Sequence, residues 1–316
     1  MTQTEQLDHA KAFVVKALNL AANVYQQHLV SAYIFGGVAK EDFCRKTSDV
    51  DLLFVVGDSC PDEIIDQFEA KMERLEIEQR ILPAETTDLL FLAFAYKTLF
   101  FKSHFTLRLR SLKYLDFNAM FLEGKGFRLT FWKILGRIML PFSPSKLVIR
   151  NMLKGAKLLA GQDLLHNLVF PQITRSETTK IFIMSWLVSI FGIISSAFSG
   201  SSTRFSLESM KWYVLNVYSL FHEEASTVDR SLRFALANGL LQQSFVVDRF
   251  VSLRKDCSCD LMFNAILPIY LIVAQFRLIH SIRQERDRRL TNKEQSGLGS
   301  CYVTHLESIK DYPKNT

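Results

Sequence analysis

Two glycines followed by two aspartates carry the chemistry that can be read from this chain. Gly36 and Gly37 end the short apolar run 31–35, and Asp49 and Asp51 open a second apolar run, 49–56, after a polar link over 40–48. A glycine exposes its backbone N–H with no side chain in the way, and the start of a following helix carries partial positive charge, so a phosphate suits the first place. Side chains alternate across a strand, which puts Asp49 and Asp51 on the same face. Two carboxylates held so near each other repel unless a cation lies between them. Hard oxygen donors of this kind suit Mg²⁺, which takes one or two carboxylates and completes its shell with phosphate and water. Taken singly, a Gly-Gly is a turn and an Asp-x-Asp a solvated strand start; it is the order and spacing of the two that point to a nucleotide site.

These residues need elements to hold them. Residues 4–29 predict an amphipathic helix, with Phe13, Ala17, Leu20, Ala21 and Val24 on one side, leading into the first strand. Pro61-Asp62-Glu63 starts a second helix over 61–75, whose Ile64, Ile65, Phe68, Met72 and Leu75 would pack on the sheet. Strand, Gly-Gly, polar link and Ser48-Asp49-Val50-Asp51-apolar strand together resemble the signature of the DNA polymerase β-like nucleotidyltransferase superfamily, over about residues 28–95. Many members have Gly-Ser where this chain has Gly36-Gly37, which removes one hydroxyl donor and leaves the backbone donors.

The resemblance implies an α+β chain. A small mixed-sheet nucleotidyltransferase domain over 1–115 is followed by an all-helical substrate or partner domain over 116–290 and a polar C-terminal tail over 291–316. It also implies a metal-dependent transfer of an NMP, AMP from ATP on family grounds, to an acceptor hydroxyl with release of pyrophosphate. Gly36 and Gly37 would donate backbone N–H groups to the triphosphate, Ser48 would add a hydroxyl, and Asp49 and Asp51 would hold Mg²⁺. A third carboxylate is expected on a strand beside the first two, as co-ligand or base. Asp88, at the start of the apolar 86–94 stretch, is favoured over Glu78, which reads as a surface acid. The acceptor, whether a small molecule, a protein hydroxyl or an RNA end, cannot be read. The competing class is a degenerate domain that binds nucleotide or serves as a protein-interaction module.

Elsewhere the readings are plainer. Arg108 and Arg110, on a stretch 96–110 that mixes cations with aromatics and His104, would share a strand face and could meet phosphate or form a solvated edge. A helix from about Ser145 through Leu153, Ala156 and Leu159 is expected to stop at Gly161. Residues 176–290 predict helices throughout; Glu208 and Lys211 read as a surface pair three residues apart, with a phosphate contact for Lys211 as the alternative. A final helix through 269–280 becomes highly charged at 283–289.

Composition excludes several classes. With 316 residues and 48% hydrophobic content the chain can bury a substantial core and is not disordered, and a net charge of +6 is only a mild bias towards a polyanionic ligand. Cys44, Cys60, Cys257, Cys259 and Cys301 are scattered like reduced cytosolic thiols, and Cys257-x-Cys259 has no second pair to complete a zinc site. No basic-then-apolar leader opens the chain, so a cytoplasmic protein is expected. The uncharged run 181–198 reaches the lower length of a membrane span, but serines and a glycine dilute it, and a fully buried helix is the favoured expectation. None of the histidines has an arginine four to six residues before it, so no fused ribonuclease of that pattern is expected.

Overall fold

The computed structural model describes residues 3–40, 50–79, 103–113, 145–166, 168, 175–196, 203–222, 224–256 and 258–296. Asp49, Ser48 and Asp88 lie outside them.

The chain opens with α1 (Gln3–Tyr25), a single 3₁₀ turn and β1 (Leu29–Phe35), which passes directly into the one-turn helix α2 (Gly36–Ala39). Then come β2 (Asp51–Val56), α3 (Asp62–Glu78), β3 (His104–Arg108) and α4 (Leu109–Lys113). The four described strands form one sheet in the order β3-β2-β1-β4, where β4 is Lys157–Gly161. β2 lies antiparallel to β1 and parallel to β3, and β4 runs antiparallel to β1, so the sheet is mixed.

Strand alternation sorts the sheet's side chains onto two faces. Ala32, Ile34, Leu52, Phe54 and Val56 join Phe13, Ala17 and Ala21 of α1 and Ile65, Phe68 and Met72 of α3 in one cluster. Tyr33, Phe35, Leu53, Val55 and Leu107 form a second cluster on the other face with Leu153 of α5 (Ser145–Lys154). Both helices read from the sequence therefore cover the sheet as their apolar sides require. Tyr25 closes the first cluster, with its ring 4.5 Å from that of Phe68 and its hydroxyl 2.9 Å from Thr106 Oγ1.

The region after α5 departs from expectation. The helix ends at Lys154 rather than at Gly161, and residues 157–161 are an edge strand. The apolar spacing over 147–159 suits a helix, but Gly155 breaks it, and the free edge of β1 offers backbone partners that a lone helical turn cannot match. The sheet thus draws on residues on both sides of the 115/116 boundary expected from the sequence.

The remaining described elements are helices: α6 (Arg175–Ser196), α7 (Thr203–Phe221), α8 (Val228–Ala237), α9 (Phe245–Asp256) and α10 (Leu261–Ser296). The protein is α+β, a small mixed sheet followed by an all-helical part. α7 is the axis of that part, buried on most of its sides and packed with α8, α9 and α10 around Met210, Tyr213, Phe250, Phe263 and Leu267. Glu208 is buried and Lys211 is half-buried, so their ion pair at 2.9 Å is an internal link of α7 and not the surface pair expected. Pro268 sits inside α10, and the helix, expected through 269–280, begins earlier and continues past it.

Two described windows are long and apolar enough to cross a membrane by length and composition: Thr179–Ser196, mean hydropathy 1.6, and Leu261–Gln284, mean hydropathy 1.7. The 181–198 run is not the fully buried helix expected. Ile181, Ser185 and Val188 face inward, while Leu187 and Ile194 face water.

Asp260 caps α10. Its Oδ1 accepts from Phe263 N at 2.8 Å, and its other oxygen accepts from Arg249 Nε at 2.7 Å. Burial pushes this carboxyl up, but the Phe263 N–H and the Arg249 guanidinium outweigh it, and the group is held below its ordinary value. A depressed folded value stabilises the protein above the ordinary carboxylate range, and that contribution fades as pH falls through the folded value. Asparagine caps a helix as well as aspartate does, so Asp260→Asn removes only the charge that faces Arg249 and the helix start, and it is expected to cost about 0.5–1 kcal/mol near neutrality. The gap between the two proteins should narrow as acid is added, which urea denaturation at a series of pH values checks; a gap that stays constant with pH would mean the charge contributes nothing.

Candidate functional site

The site is built where β1 and β2 end side by side. Phe35, the last residue of β1, pairs with Asp51, the first of β2, so the antiparallel register alone sets Asp51 beside the Gly-Gly turn. The approach is close. A Cβ on Gly36 would lie 1.8 Å from Asp51 Oδ2 and 2.8 Å from its Cγ, and Gly36 adopts φ +68°, a region that side chains rarely enter. Two separate features therefore penalise any other residue at 36: the turn's left-handed start and the carboxylate seated against it.

α2 begins at once after this turn, and Lys40 N returns to Gly36 O at 3.3 Å. The first N–H groups of a helix have no acceptor within the helix itself, so those of its opening residues, Gly36 and Gly37, are available to an anion. Gly36, Gly37 and Asp51 are all partly exposed, whereas Val38, Ala39, Val50 and Leu52 around them are buried. A polar mouth is thus set in an apolar frame.

Alternation puts Asp51 on the face of Leu53 and Val55, away from α1 and α3. That face continues across β3 as Phe105, which pairs with Leu53 and stacks on Phe35 at 6.1 Å. β3 is the strand beside β2 on which a third carboxylate could be sought, and its residues are His, Phe, Thr, Leu and Arg. Asp88 lies outside the described residues, and Glu78 is the exposed last residue of α3 rather than part of a strand. Among the described residues no group of three metal-ligating side chains comes together.

The cations of the 96–110 stretch do not face phosphate. Arg108 aligns with Val56 at the far end of β2 from Asp51. It is buried there, donating to Cys60 O at 2.6 Å and Asp58 O at 3.0 Å and pairing with Asp62. Arg110 belongs to α4, on no shared strand face, and its backbone N–H donates to Asp58 Oδ1 at 2.9 Å. Both residues hold the turn between β2 and α3. Arg108→Lys is accordingly expected to lower stability by about 1–2 kcal/mol, because a single ammonium cannot reproduce the guanidinium's several donors. Nucleotide affinity should not change; denaturation and calorimetric titration of one preparation measure both, and a loss of affinity without a loss of stability would reinstate the phosphate role.

His104, also in that stretch, is buried on the opposite face. Its Nδ1 lies 2.9 Å from Glu76 Oε1 and its Nε2 3.2 Å from Glu69 Oε2, and Ser103 donates to the same Glu76 oxygen. Ser103 O accepts from Leu52 N at 2.9 Å. This cluster bolts α3 to the beginning of β3, one residue from Asp51.

Sequence reasoning missed the neighbours that the helical part brings to the turn. A Cβ on Gly155 would lie 2.9 Å from Lys40 Cε and 3.2 Å from Ala225 Cβ. The end of α2, the bend between α5 and β4, and the segment after α7 therefore meet at one point. Asn151 Nδ2 donates to Asn216 Oδ1 at 2.7 Å close by, tying α5 to α7. Beyond Ala225 stand Glu224, Tyr218 and Arg230: the Tyr218 hydroxyl lies 2.9 Å from Glu224 Oε1, and Arg230 pairs with the same carboxylate. The only sequence signal for Lys40 was its place as the first cation after the glycines; Gly155 and Ala225 carry none.

No family model matches the chain, and no curated protein matches it. Among solved structures it is similar to the spectinomycin adenyltransferase AAD(9) from Enterococcus faecialis, solved with ATP and spectinomycin. The two share 12% identity over 85% of this chain and 98% of that one, with a TM-score of 0.47. A likeness at that level does not say which residues act, and the site stands on its own geometry.

Proposed function

We propose that this protein is a nucleotidyltransferase that moves an NMP, from ATP in the first instance, onto an acceptor hydroxyl and releases pyrophosphate. The observation that carries the proposal is the seat of Asp51 against Gly36. A partly exposed carboxylate and a turn of backbone donors meet there, as close as a glycine allows.

The donor types fit Mg²⁺: Asp51 is a hard, partly exposed oxygen donor beside a turn of backbone N–H groups, and Asp49, two residues earlier, would be its fellow ligand. When bound, the metal supplies neutralisation of phosphate charge and orientation of the triphosphate. The chain's own groups do the rest. Gly36 and Gly37 would donate N–H groups to the phosphates, with the Ser48 hydroxyl as a further donor, and would hold the chain of phosphorus atoms along the turn. The acceptor oxygen attacks the α-phosphorus as the bond to the β-phosphate bridging oxygen breaks, and Asp88 would orient the acceptor hydroxyl or take its proton. Positioning of this kind can supply on the order of 7–11 kcal/mol of barrier reduction. Cytoplasmic location is part of the same proposal.

A second reading has one observation in its favour. β3 places Phe105, not an acid, on the face that carries Asp51. A domain that binds nucleotide without transferring it, or that has become a protein-interaction module, would need no third carboxylate. The two are separated by titrating MgATP into the purified chain and then following pyrophosphate release with and without Mg²⁺ across a panel of small-molecule, protein and RNA acceptors. Metal-dependent release supports the transferase; tight binding with no release from any acceptor supports the second reading, and failure to bind any of the four triphosphates would sink the nucleotide site altogether.

A further inference from the structure

Two helices leave large apolar side chains in water on one side only. On α10, Met262, Ile269, Val273 and Phe276 are 59, 65, 45 and 69% exposed, while Phe263, Leu267 and Leu271 between them are fully buried. These four are spaced by seven, four and three residues, which makes a stripe along the helix, with exposed Leu261 and Ile279 to one side of it. Leu187 and Ile194 of α6, seven residues apart, are 40 and 53% exposed and make a shorter stripe.

The helices run antiparallel and in contact. Asn264 Nδ2 donates to Ser196 Oγ at 3.0 Å where α6 ends and α10 begins. At the other end Phe182 and Ile282 enter the same apolar cluster. That second end carries a net positive charge: Arg175 and Lys180, with Glu177 between them, open α6, and α10 carries four arginines and two acids over 283–289. On α10 the apolar stripe passes into this end on its own face, since exposed His280 and Arg283 follow Phe276 by four and seven residues.

The inner sides of both helices are of another kind. Asn264, Gln275, Ser185 and Ser189 are buried there, among the side chains that hold the helical part together. That arrangement is shared by the helices of a spanning bundle, but α8 and α9, packed in the same apolar cluster, expose Asp229, Arg230, Arg233 and Asp248, so a bilayer does not enclose this part of the chain. It suits the boundary between headgroups and acyl chains, where an apolar stripe enters the lipid and cations at its rim meet anionic headgroups.

We propose that the outer face of α6 and α10 docks on an anionic membrane surface, with the stripe from Met262 to Phe276 entering the interface and the arginine end held by lipid phosphates. The inference is independent of the transfer reaction.

The test is flotation of the full chain, prepared without detergent, with phosphatidylcholine vesicles and with vesicles in which roughly a third of the lipid is phosphatidylserine. Binding is expected to the anionic vesicles only, and to weaken as salt is raised. Ile269→Glu with Phe276→Glu should lower partitioning at least ~10-fold at an unchanged melting temperature, and Arg283→Glu with Arg286→Glu should lower it several-fold. The proposal is overturned by failure to float with anionic vesicles, or by flotation that the Ile269/Phe276 variant leaves intact. It is equally overturned by a dimer in light scattering that this variant dissolves while vesicles go unbound, for then a second copy covers the face. A chain that comes out of membranes only in detergent would overturn it too, in favour of spanning helices.

Discussion

Asp51→Asn is expected to leave the protein folded and to abolish nucleotidyl transfer. The substitution keeps the size and shape of the side chain, so the close fit against Gly36, where a Cβ would stand 1.8 Å from Oδ2, survives it. What it removes is the charge. An amide is a far poorer ligand for a hard divalent cation than a carboxylate, and its NH₂ group turns donors towards any cation placed there. A loss of at least ~10³ in turnover is expected, about 4 kcal/mol of transition-state stabilisation. Calorimetry should show Mg²⁺-dependent ATP binding in the wild type and none in the variant, with melting temperatures in agreement. Turnover retained in a folded Asp51→Asn protein would falsify the assignment of this residue as a metal ligand.

Gly36→Ala should be nearly as damaging, through geometry instead of charge. The added methyl meets two penalties. At φ +68° a residue with a side chain pays roughly 1–2 kcal/mol for left-handed backbone. The second penalty is steric, because the methyl cannot coexist with the Asp51 carboxylate and must drive it out of its seat, at a further cost of about 1–3 kcal/mol. Gly239 separates the two: it has φ +66° but nothing within 4 Å of where its Cβ would be. Gly239→Ala should therefore show the backbone penalty alone and full nucleotide affinity, whereas Gly36→Ala should lose stability by the larger sum and lose affinity by at least ~10². Chemical denaturation and MgATP titration of both variants measure the contrast. Equal behaviour of the two would mean that the contact with Asp51 has no functional weight.

What could be read in advance was what rests on local pattern. α1 and α3 followed from apolar spacing, and β1 and β2 from short apolar runs bounded by glycines and acids. Gly36 and Asp51 could be assigned to one site from the order and spacing that resemble a known signature, but that they touch comes from the antiparallel register of β1 and β2, which their own residues do not announce. The errors have a common physical origin in partners far along the chain. Residues 157–161 read as helix because the edge of β1 that recruits them is not visible in their own spacing. Arg108 read as a free cation because the carbonyls and carboxylate that absorb it belong to a turn some fifty residues earlier. Glu208 and Lys211 show the spacing of a surface pair, and only the helices packed round α7 bury them. Lys40, Gly155 and Ala225 were illegible as a group for the same reason.

The strand β4 bears on how the protein is made. Ser31 donates to Gln162 O across a separation of 131 residues, and β4 flanks β1 over Ser31–Ile34. Until residue 161 has left the ribosome, the nascent head has its glycine turn and Asp51 in place but presents β1 as an open edge, an invitation to pair with whatever strand is nearest. The nucleotide site is thus encoded early in the message and completed late. A gene fragment cut at residue 115 should yield aggregate in place of a working half, and a recombination event that exchanged the helical part for another would have to carry a strand of the sheet along with it.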